Sequence, residues 1–510
     1  MHALFISGVG VAVYAARLPA PYVADDHFIF YRLQEGGAFG FASQPPTSFF
    51  RPLISLHYHM DYMVGMSPLF SHVVNLAWHV ACALLLYALA SRLLLHGGWH
   101  KRRAALGAFV SALTFTVLPA NVEAVAWFAA RADMVATAGA LSALLLLMRF
   151  QELGRLGDYI GALLGFALGL FCKESLLTFP LVAWLWLRFL GIPDAGRKAI
   201  PFWGVLLVYV AMRTAVVGGA GAYPEAWETL QRPWLLLVNL LAYLFQMGMP
   251  AILYGLGRDG WDTLLWGVWA VGVGFLMYAL RAHSSRHASP ISGLLILSFV
   301  LAALLPVLIF KPSPFYFLNS RYTYLASAFA LTGMSAWLAQ LAGRGAMSGL
   351  VIILMTYTLG TIRQAVTWAE AGWLARSSVL SLKDALAEHP LLILSVPDHF
   401  HGAYIWRAGF HEGVALLLPE RANQPIFVAS RFTMRLRRDV AVNYANGVAT
   451  LSSPDDIFLP PEGVRTPDGD EPMVLTKQLV IHWSQIERYT LLGFGDGQFK
   501  WVNVKSGRSQ

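Results

Sequence analysis

The sequence predicts an all-α polytopic transmembrane bundle followed by a small α/β domain outside the membrane. Of the 510 residues, 57% are hydrophobic and 13% are charged, and a soluble chain could not keep so much apolar surface covered. Apolar runs of near-spanning length recur as far as residue 368, and turn residues become common from residue 369. We therefore divide the chain into a membrane domain, 1–368, and a C-terminal domain, 369–510.

The membrane domain holds the apolar runs, several of which are shorter than the roughly 20 residues that a span needs. The runs are 2–16, 68–95, 104–118, 130–150, 159–172, 175–190, 201–217, 233–250, 261–280, 291–310, 322–342 and 346–368. The first lacks Lys and Arg at its amino end, which favours a retained helix over a signal peptide. If 233–250 enters and leaves on one side, the bundle has eleven spans; otherwise it has twelve.

The C-terminal domain shows the alternation of short β-favouring runs and turn signals that is typical of a small α/β fold. The β-favouring runs are 391–396, 425–429, 474–483 and 489–494, with turn signals at 454–456, 460–461 and 467–470. A helix is expected within 403–418. We expect His399 and His401 in a surface loop rather than at a metal. Acceptor recruitment is our hypothesis for this domain.

Basic residues orient the bundle. The cluster His-Lys-Arg-Arg at 100–103 is the strongest, and such clusters mark cytoplasmic loops. The loop 17–66 is then external. In the eleven-span arrangement, which we prefer, the stretch 311–324 and the C-terminal domain are external too, and we read this side as periplasmic in a bacterial inner membrane. The net charge of +8 indicates contact with anionic headgroups rather than nucleic acid. The two cysteines, Cys82 and Cys172, are expected to be isolated core thiols.

Two adjacent aspartates, Asp25 and Asp26, follow the first apolar run in a stretch rich in aromatic residues, His and Arg. Adjacent carboxylates raise each other's pKa by repulsion, which suits one of them to act as a general base. The alternative is a solvated loop start or a helix cap. We take the pair as the candidate catalytic residues.

A second charged segment, residues 121–133, lies between two apolar runs on the external side. At helical spacing Glu123, Trp127 and Arg131 would share one face. Asp133 closes the segment. An ion-paired helix end is the alternative, but charges in such a place are costly unless they are used.

Two more charged segments are expected on that side. Lys173 and Glu174 interrupt two apolar runs, either as a turn marker or because the lysine binds phosphate. Arg321 and Tyr322 belong to an external turn, and their side chains suit phosphate and sugar contacts. Each signal is weak alone, and their shared side of the membrane gives them weight.

The charged segments and two others occur in a definite order. They are Asp25-Asp26, Arg51-Pro52-Leu53, His72-x-x-Asn75-x-x-x-His79, the 121–133 segment, Lys173-Glu174 and Ser-Arg-Tyr-x-Tyr-Leu at 320–325. In this order they resemble the GT-C glycosyltransferases, above all the TMTC-type O-mannosyltransferases and their bacterial relatives. The resemblance covers about residues 20–330. The animal members carry tetratricopeptide repeats where this chain has its α/β domain, so protein O-mannosylation is not carried over.

The resemblance implies an inverting transferase that moves a sugar, mannose by first choice, from a polyprenyl-phosphate carrier to a protein or glycolipid hydroxyl outside the cytoplasm. Asp25 or Asp26 would be the base, and Lys173, Arg321 and Arg131 would bind the donor phosphate. Further substrate contacts would come from Arg51, His72, Asn75, His79, Glu123, Asp133, Glu174 and Tyr322. Among these, Glu123 and Asp133 would position the acceptor or Arg131, and the two histidines and Asn75 would form the pocket floor.

Metal binding and two other classes of protein are alternatives. His72 and His79 lie two helical turns apart, but a complete site needs three or four convergent ligands. Some GT-C members use a divalent metal, so manganese or magnesium stays open while our default is no metal. A transporter or flippase of lipid-linked sugars would place charges in mid-helix, and a scaffold would leave Asp25 and Asp26 unexplained.

Overall fold

The computed structural model describes residues 1–43, 49–218, 229–282, 290–338, 344–384, 390–428, 431–434, 441–445, 448–452, 457–459, 473–475, 478–482, 490–495, 497–503 and 508–509. Within these residues the contacts define two compact units. The first comprises residues 1–18 and 33–365, and the second comprises residues 19–32 and 366–510. The predicted turn signals at 454–456, 460–461 and 467–470 lie outside the described residues.

Helices form nearly all of the first unit. In chain order, the α-helices among the described residues are α1 (His2–Tyr14), α2 (Asp25–Gly36), α3 (Pro52–Met63), α4 (Pro68–His96), α5 (Lys101–Thr116), α6 (Val122–Ala126), α7 (Arg131–Leu153), α8 (Leu156–Cys172), α9 (Phe179–Phe189), α10 (Ala195–Val217), α11 (Trp234–Gly248), α12 (Gly260–Ala282), α13 (Pro290–Leu304), α14 (Tyr324–Leu338), α15 (Arg344–Leu380) and α16 (Phe410–Leu417). Every predicted apolar run overlaps one of them.

The helices confirm the predicted membrane bundle. Among the described residues, five are long and apolar enough to cross a membrane, and a bent pair formed by α5 and the segment 119–126 makes a sixth. Five shorter apolar helices accompany them. Both cysteines are buried free thiols, as expected.

The stretch 17–66, predicted as a loop, contains α2 and α3. Neither helix is an apolar run, so a search by hydropathy misses them. Pro52 stands in the first turn of α3, where its missing N–H costs nothing because the first N–H groups of a helix have no partner within the helix. The prediction of a loop here was wrong for these two helices.

Glycines let α7 and α8 pack closely. A Cβ added at Gly139 would lie 2.5 Å from the Gly165 carbonyl oxygen, and one added at Gly169 would lie 3.1 Å from the Ala136 carbonyl oxygen. Small residues at such crossings allow two backbones to approach each other. The chain leaves α8 at Cys172, beside the first turn of α7.

The second unit contains the strands β1 (Leu391–Ile393), β2 (Val396–Phe400), β3 (Ala403–Tyr404), β4 (Ile426–Val428), β5 (Arg431–Met434), β6 (Ala441–Ala445), β7 (Val448–Ser452), β8 (Ile457–Leu459), β9 (Met473–Leu475), β10 (Gln478–His482), β11 (Thr490–Gly495), β12 (Gln498–Asn503) and β13 (Arg508–Ser509). They form sheets of order β13-β12-β11-β1-β4, β6-β7-β10-β9 and β3-β2-β5-β8. In the first sheet β1 runs parallel to both β11 and β4.

Within the described residues, strands overlap each predicted β-favouring run, and α16 lies within the predicted helical stretch 403–418. The placement of His399 in a surface loop was wrong. His399 lies in β2, which pairs with β3 and β5 on its two sides, and its side chain is buried.

Candidate functional site

Seven of the predicted site residues converge at helix ends of the first unit and form what we call the ionic cluster. Its members are Arg51, Glu123, Asp133, Lys173, Glu174, Arg321 and Tyr322. Each lies near the end of a helix: Arg51 before α3, Glu123 within α6, Asp133 in the first turn of α7, Lys173 and Glu174 directly after α8, and Arg321 and Tyr322 in the turn before α14.

Three ion pairs build the cluster. The Lys173 Nζ lies 2.5 Å from Asp133 Oδ2. Arg51 donates to both carboxylate oxygens of Glu174, at 2.5 and 2.7 Å. Such a bidentate pair fixes the direction of the guanidinium as well as its position.

The third pair joins Arg321 to Glu123. Glu123 Oε2 also accepts hydrogen bonds from the Ser320 hydroxyl at 3.2 Å and the Arg321 N–H at 3.3 Å. The Glu123 carboxylate therefore holds both the backbone and the side chain of Arg321.

Tyr322 joins these pairs into one site. The Lys173 Nζ lies 5.0 Å from the centre of its ring, and the Arg321 guanidinium lies 4.4 Å from it and donates to its hydroxyl at 3.0 Å. Cations favour the face of an aromatic ring at such distances. Burial raises the pKa of Tyr322, so its hydroxyl stays protonated and can donate.

Burial and charge set the protonation of the cluster. Burial first, then the charges of Arg51 and Arg321, lower the pKa of Lys173 to about 8, against the opposing attraction of Asp133. Burial alone would raise the pKa of Glu174, but the charge and hydrogen bonds of Arg51 outweigh it and lower the pKa to about 2. Glu174 is therefore ionised at neutral pH, whereas Lys173 loses its charge as the pH rises through about 8.

The cluster has a buried and an open side. The Lys173 and Asp133 side chains are 7% and 5% exposed, whereas Arg51 and Glu174 are 18% and 24% exposed. An anion arriving from solvent would meet the guanidinium of Arg51 before the ammonium group of Lys173. Each of the three cations is already paired with a carboxylate, so an anionic ligand would compete with Glu174, Asp133 and Glu123 for them.

Arg131 has a different environment from the other predicted phosphate ligands. It is completely buried and paired with Asp61, its Nε donates to Asn75 Oδ1 at 2.6 Å, and a terminal nitrogen donates to the Ser71 carbonyl at 3.0 Å. A phosphate could reach it only by displacing these partners. This geometry favours a structural role that ties α3, α4 and α7 together; breaking such a buried pair typically costs about 3–5 kcal/mol.

Asp61 was not among the site residues predicted from the sequence. It lies in α3, inside the stretch taken as a loop, and no neighbouring motif distinguishes it from a surface carboxylate. Only the fold brings it to Arg131.

The predicted pocket-floor residues lie on α4, and their side chains are within hydrogen-bonding distance of other residues of the protein. The His79 Nδ1 lies 2.6 Å from the Tyr324 hydroxyl and its Nε2 lies 3.2 Å from the Thr116 carbonyl. The His72 Nδ1 lies 3.3 Å from the Leu18 carbonyl. Among the described residues, no three His, Cys, Asp or Glu side chains form a group that could hold a metal.

Asn75 controls the shape of the 121–133 segment. Its amide donates to the carbonyls of Val125 and Trp127, at 3.2 and 3.1 Å, and Trp127 is extended, with φ −97° and ψ 121°. The segment is therefore broken between α6 and α7. The expectation that Glu123, Trp127 and Arg131 share one helical face was wrong, because tertiary hydrogen bonds interrupt the helix.

Asp25 and Asp26 belong to the second unit, as the first two residues of α2. Negative charge is favourable at a helix N-terminus, so the helix-start alternative describes their local position. Asp26 is fully buried, and its Oδ2 accepts the Val23 N–H at 3.0 Å. Asp25 is only partly buried.

Comparison with known proteins gave partial matches, and no family model matches the chain. The protein O-mannosyl-transferase Tmtc1 of Drosophila melanogaster is 31% identical over 129 residues, 25% of this chain and 14% of the fly protein. TMTC1 of Mus musculus is 33% identical over 120 residues, 23% of this chain and 12% of the mouse protein. The matches thus span a small part of these relatives, and over that part they confirm the predicted resemblance to TMTC-type proteins.

Solved structures of GT-C enzymes align with most of the chain at low identity. Apo ArnT from Cupriavidus metallidurans covers 83% of this chain and 85% of its own, with 12% identity and a TM-score of 0.48. The Archaeoglobus fulgidus oligosaccharyltransferase covers 83% of this chain and 63% of its own, with 11% identity and a TM-score of 0.42. Likenesses this distant carry no inference about chemistry.

Proposed function

We propose that this chain is an integral membrane glycosyltransferase of the GT-C type, which moves a hexose from a polyprenyl-phosphate carrier to a hydroxyl acceptor outside the cytoplasm. The ionic cluster carries the proposal. Arg51, Lys173 and Arg321 are brought together with Tyr322 at helix ends, where the phosphate of a membrane-embedded lipid would lie. The partial similarity to TMTC proteins supports the same activity.

In the proposed reaction the acceptor oxygen attacks C1 of the sugar from the face opposite the phosphate, and the configuration inverts. The C1–O bond to phosphate breaks as the new C1–O bond forms, and the bonding electrons leave with polyprenyl phosphate. Lys173, Arg51 and Arg321 stabilise the charge that develops on that leaving group. The acceptor proton passes to a carboxylate.

Asp25 and Asp26 are the proposed source of that base. Asp25 is the better candidate for contact with an acceptor because it is partly exposed, whereas Asp26 is buried and accepts a backbone hydrogen bond. Asp25→Asn and Asp26→Asn, tested separately, distinguish the two. The substitution that removes the base should abolish sugar transfer and leave donor binding intact.

The sugar, the acceptor and the metal are further parts of the proposal. Mannose is the first choice for the sugar, a protein or glycolipid for the acceptor, and the periplasmic side of a bacterial inner membrane for the location. Our default is that no metal takes part. Chelation that abolishes transfer, with recovery on adding manganese or magnesium, would overturn that default.

The test uses the full chain reconstituted in lipid with polyprenyl-phosphate mannose, followed by release of polyprenyl phosphate and mass spectrometry of the acceptor. We expect Arg321→Gln to lower kcat/KM for the donor by about a hundredfold, the typical effect of removing one stabilising donor. Arg92→Gln is the matched control, because Arg92 forms an exposed pair with Glu152, with both side chains 39% exposed.

The outcomes separate an enzyme from a transporter or flippase. Wild-type protein that moves the lipid-linked sugar between leaflets but releases no polyprenyl phosphate would refute the proposal and favour transport. Equal losses in Arg321→Gln and Arg92→Gln would show that the ionic cluster has no special role.

A further inference from the structure

The start of α2, which carries Asp25 and Asp26, is held by one segment of the C-terminal strand-containing part of the second unit. The Ala24 N–H donates to the Ile405 carbonyl at 2.9 Å. The rings of His27 and Trp406 lie 5.1 Å apart. Ala24 and Trp406 are each 1% exposed. The two aspartates therefore lie between residues that are fixed by the 405–413 segment.

The backbone of Ala24 makes this contact specific. Its φ is +43°, a left-handed conformation that a non-glycine residue rarely adopts unless its surroundings impose it. The hydrogen bond to Ile405 and the approach of Gly409 supply those surroundings. Without them, Ala24 would relax and Asp25, the next residue, would turn with it.

Gly409 allows the approach. A Cβ at Gly409 would lie 2.5 Å from the Ala24 carbonyl oxygen and 3.4 Å from the Phe28 nitrogen, and the φ of Gly409 is +75°. Both contacts are with backbone, which cannot move aside as a flexible side chain can. A side chain here must displace the start of α2.

The 405–413 segment is itself rigidly held within the second unit. The N–H groups of Ile405 and Trp406 donate to the carbonyls of Asp398 and Pro397, at 2.9 and 3.0 Å, which joins the segment to β2. The Trp406 indole N–H donates to the Ser378 hydroxyl of α15 at 2.8 Å. A rigid support of this kind can fix a reactive group within the narrow tolerance that catalysis needs.

We propose that the 405–413 segment is a positioning element for the Asp25–Asp26 pair, with Gly409 and Trp406 as its positioning residues. The inference rests on the proposed function and gives the C-terminal domain a part in the reaction other than acceptor recruitment. In this proposal the segment acts through the backbone of Ala24 and the ring of His27.

The test compares Gly409→Ala with Gly497→Ala in the full chain. Gly497 is a matched control because its φ is +80°, whereas a Cβ there would meet side chains and no backbone, with Leu374 Cδ2 at 3.1 Å and Ser377 Oγ at 3.9 Å. We expect Gly409→Ala to lower kcat by about ten- to a hundredfold, since small misplacements of a catalytic group have effects of that size. Donor KM should stay within about twofold, because donor binding does not use the base.

Two further measurements exclude a merely structural role. In an Asp25→Asn, Asp26→Asn background, Gly409→Ala should lower the residual rate by less than about twofold, because residues that act through one group are not additive. Hydrogen exchange of a peptide covering residues 20–30 should accelerate in Gly409→Ala and not in Gly497→Ala. If Gly409→Ala does not accumulate, Gly413→Ala replaces it, since its Cβ would lie 2.6 Å from the Trp406 ring.

The outcomes for the proposed function and for the positioning role are distinct. Wild-type protein that transfers no sugar refutes the proposed function, and hydrogen exchange still reports on the contact. A Gly409→Ala protein with wild-type kcat, or with unchanged exchange over residues 20–30, overturns the positioning role. If Gly409→Ala lowers the rate by the same factor in the Asp25→Asn, Asp26→Asn background as in the wild-type background, the positioning role is overturned as well.

Discussion

At the scale of single residues, Lys173 is a member of the ionic cluster whose charge changes with pH slightly above neutrality. Burial, together with Arg51 and Arg321, lowers its pKa to about 8. The ammonium form therefore predominates at neutral pH and is lost as the pH rises through that value. A donor phosphate would stabilise the ammonium form, so the loss matters for the enzyme that has not yet bound its donor.

We predict that kcat/KM for the lipid donor falls as the pH rises above about 8, because kcat/KM reports groups of the free enzyme. The measurement is a pH profile between 6.5 and 9.5 with the reconstituted protein. In Lys173→Arg the falling limb should disappear, since a guanidinium keeps its charge throughout this range. A wild-type profile that stays level to pH 9.5, or an unchanged limb in Lys173→Arg, would contradict the assignment.

Residue chemistry could be predicted from the sequence better than residue partners. The charged segments at 121–133, 173–174 and 321–322 were recognisable because charges between apolar runs are costly. The pairing of Lys173 with Asp133, and of Arg131 with Asp61, could not be predicted from the sequence. The partners lie 40 and 70 positions apart in the chain. The sequence therefore predicted Arg131 as a phosphate ligand, where the fold surrounds it with protein acceptors.

At the scale of elements, the crossing of α7 and α8 places the buried pair of the cluster. Asp133 belongs to the first turn of α7, and Lys173 directly follows α8. Their pairing therefore depends on how closely the two helices approach. Gly139 and Gly165 allow that approach because neither has a side chain.

We predict that Gly139→Ala lowers the free energy of unfolding by about 1–3 kcal/mol, the range for overpacking a close contact. The new methyl group would lie 2.5 Å from the Gly165 carbonyl oxygen, which is backbone. Donor KM should rise in the same variant because Lys173 shifts relative to Asp133. Thermal unfolding in detergent and donor titration provide the two measurements.

Gly161→Ala is the control for this crossing, since its Cβ would meet only the Leu146 side chain, with the two methyl groups at 3.1 and 4.0 Å. It should stay close to wild type in both measurements. Equal destabilisation by the two substitutions would mean that the Gly139–Gly165 approach is not special.

The apolar runs predicted the membrane helices well, because a span needs length and hydropathy, and both are local properties. They did not predict α3, which is short and carries Asp61, or the break at Trp127. That break arises from hydrogen bonds with Asn75 of α4, some 50 positions away. Local periodicity over 121–133 favours one continuous helix, and tertiary contacts override it.

At the scale of the whole membrane-type unit, the ionic cluster and the basic segment 100–103 lie at opposite ends of α4. Ser71, near the start of α4, contacts Arg131 at the start of α7, and Arg92, near its end, pairs with Glu152 at the end of α7. The two helices are thus parallel. The cluster lies at their amino ends and the segment 100–103 follows the carboxyl end of α4.

We predict that Lys101→Cys reacts with a membrane-impermeant maleimide only after the membrane is opened, and that Lys311→Cys reacts in intact cells. Basic segments such as 100–103 are retained in the cytoplasm. Lys311 belongs to the cluster side, because its carbonyl accepts the Asn319 amide at 2.9 Å, two residues before Arg321. Both lysines are exposed, so the two variants form a matched pair. Cys82 and Cys172 are buried, so the wild-type protein should give little background labelling.

Labelling of both new cysteines from the same side would contradict the arrangement of helix ends. Labelling of Lys101→Cys alone from outside would reverse the orientation and put the cluster in the cytoplasm, where a donor facing the periplasm could not reach it.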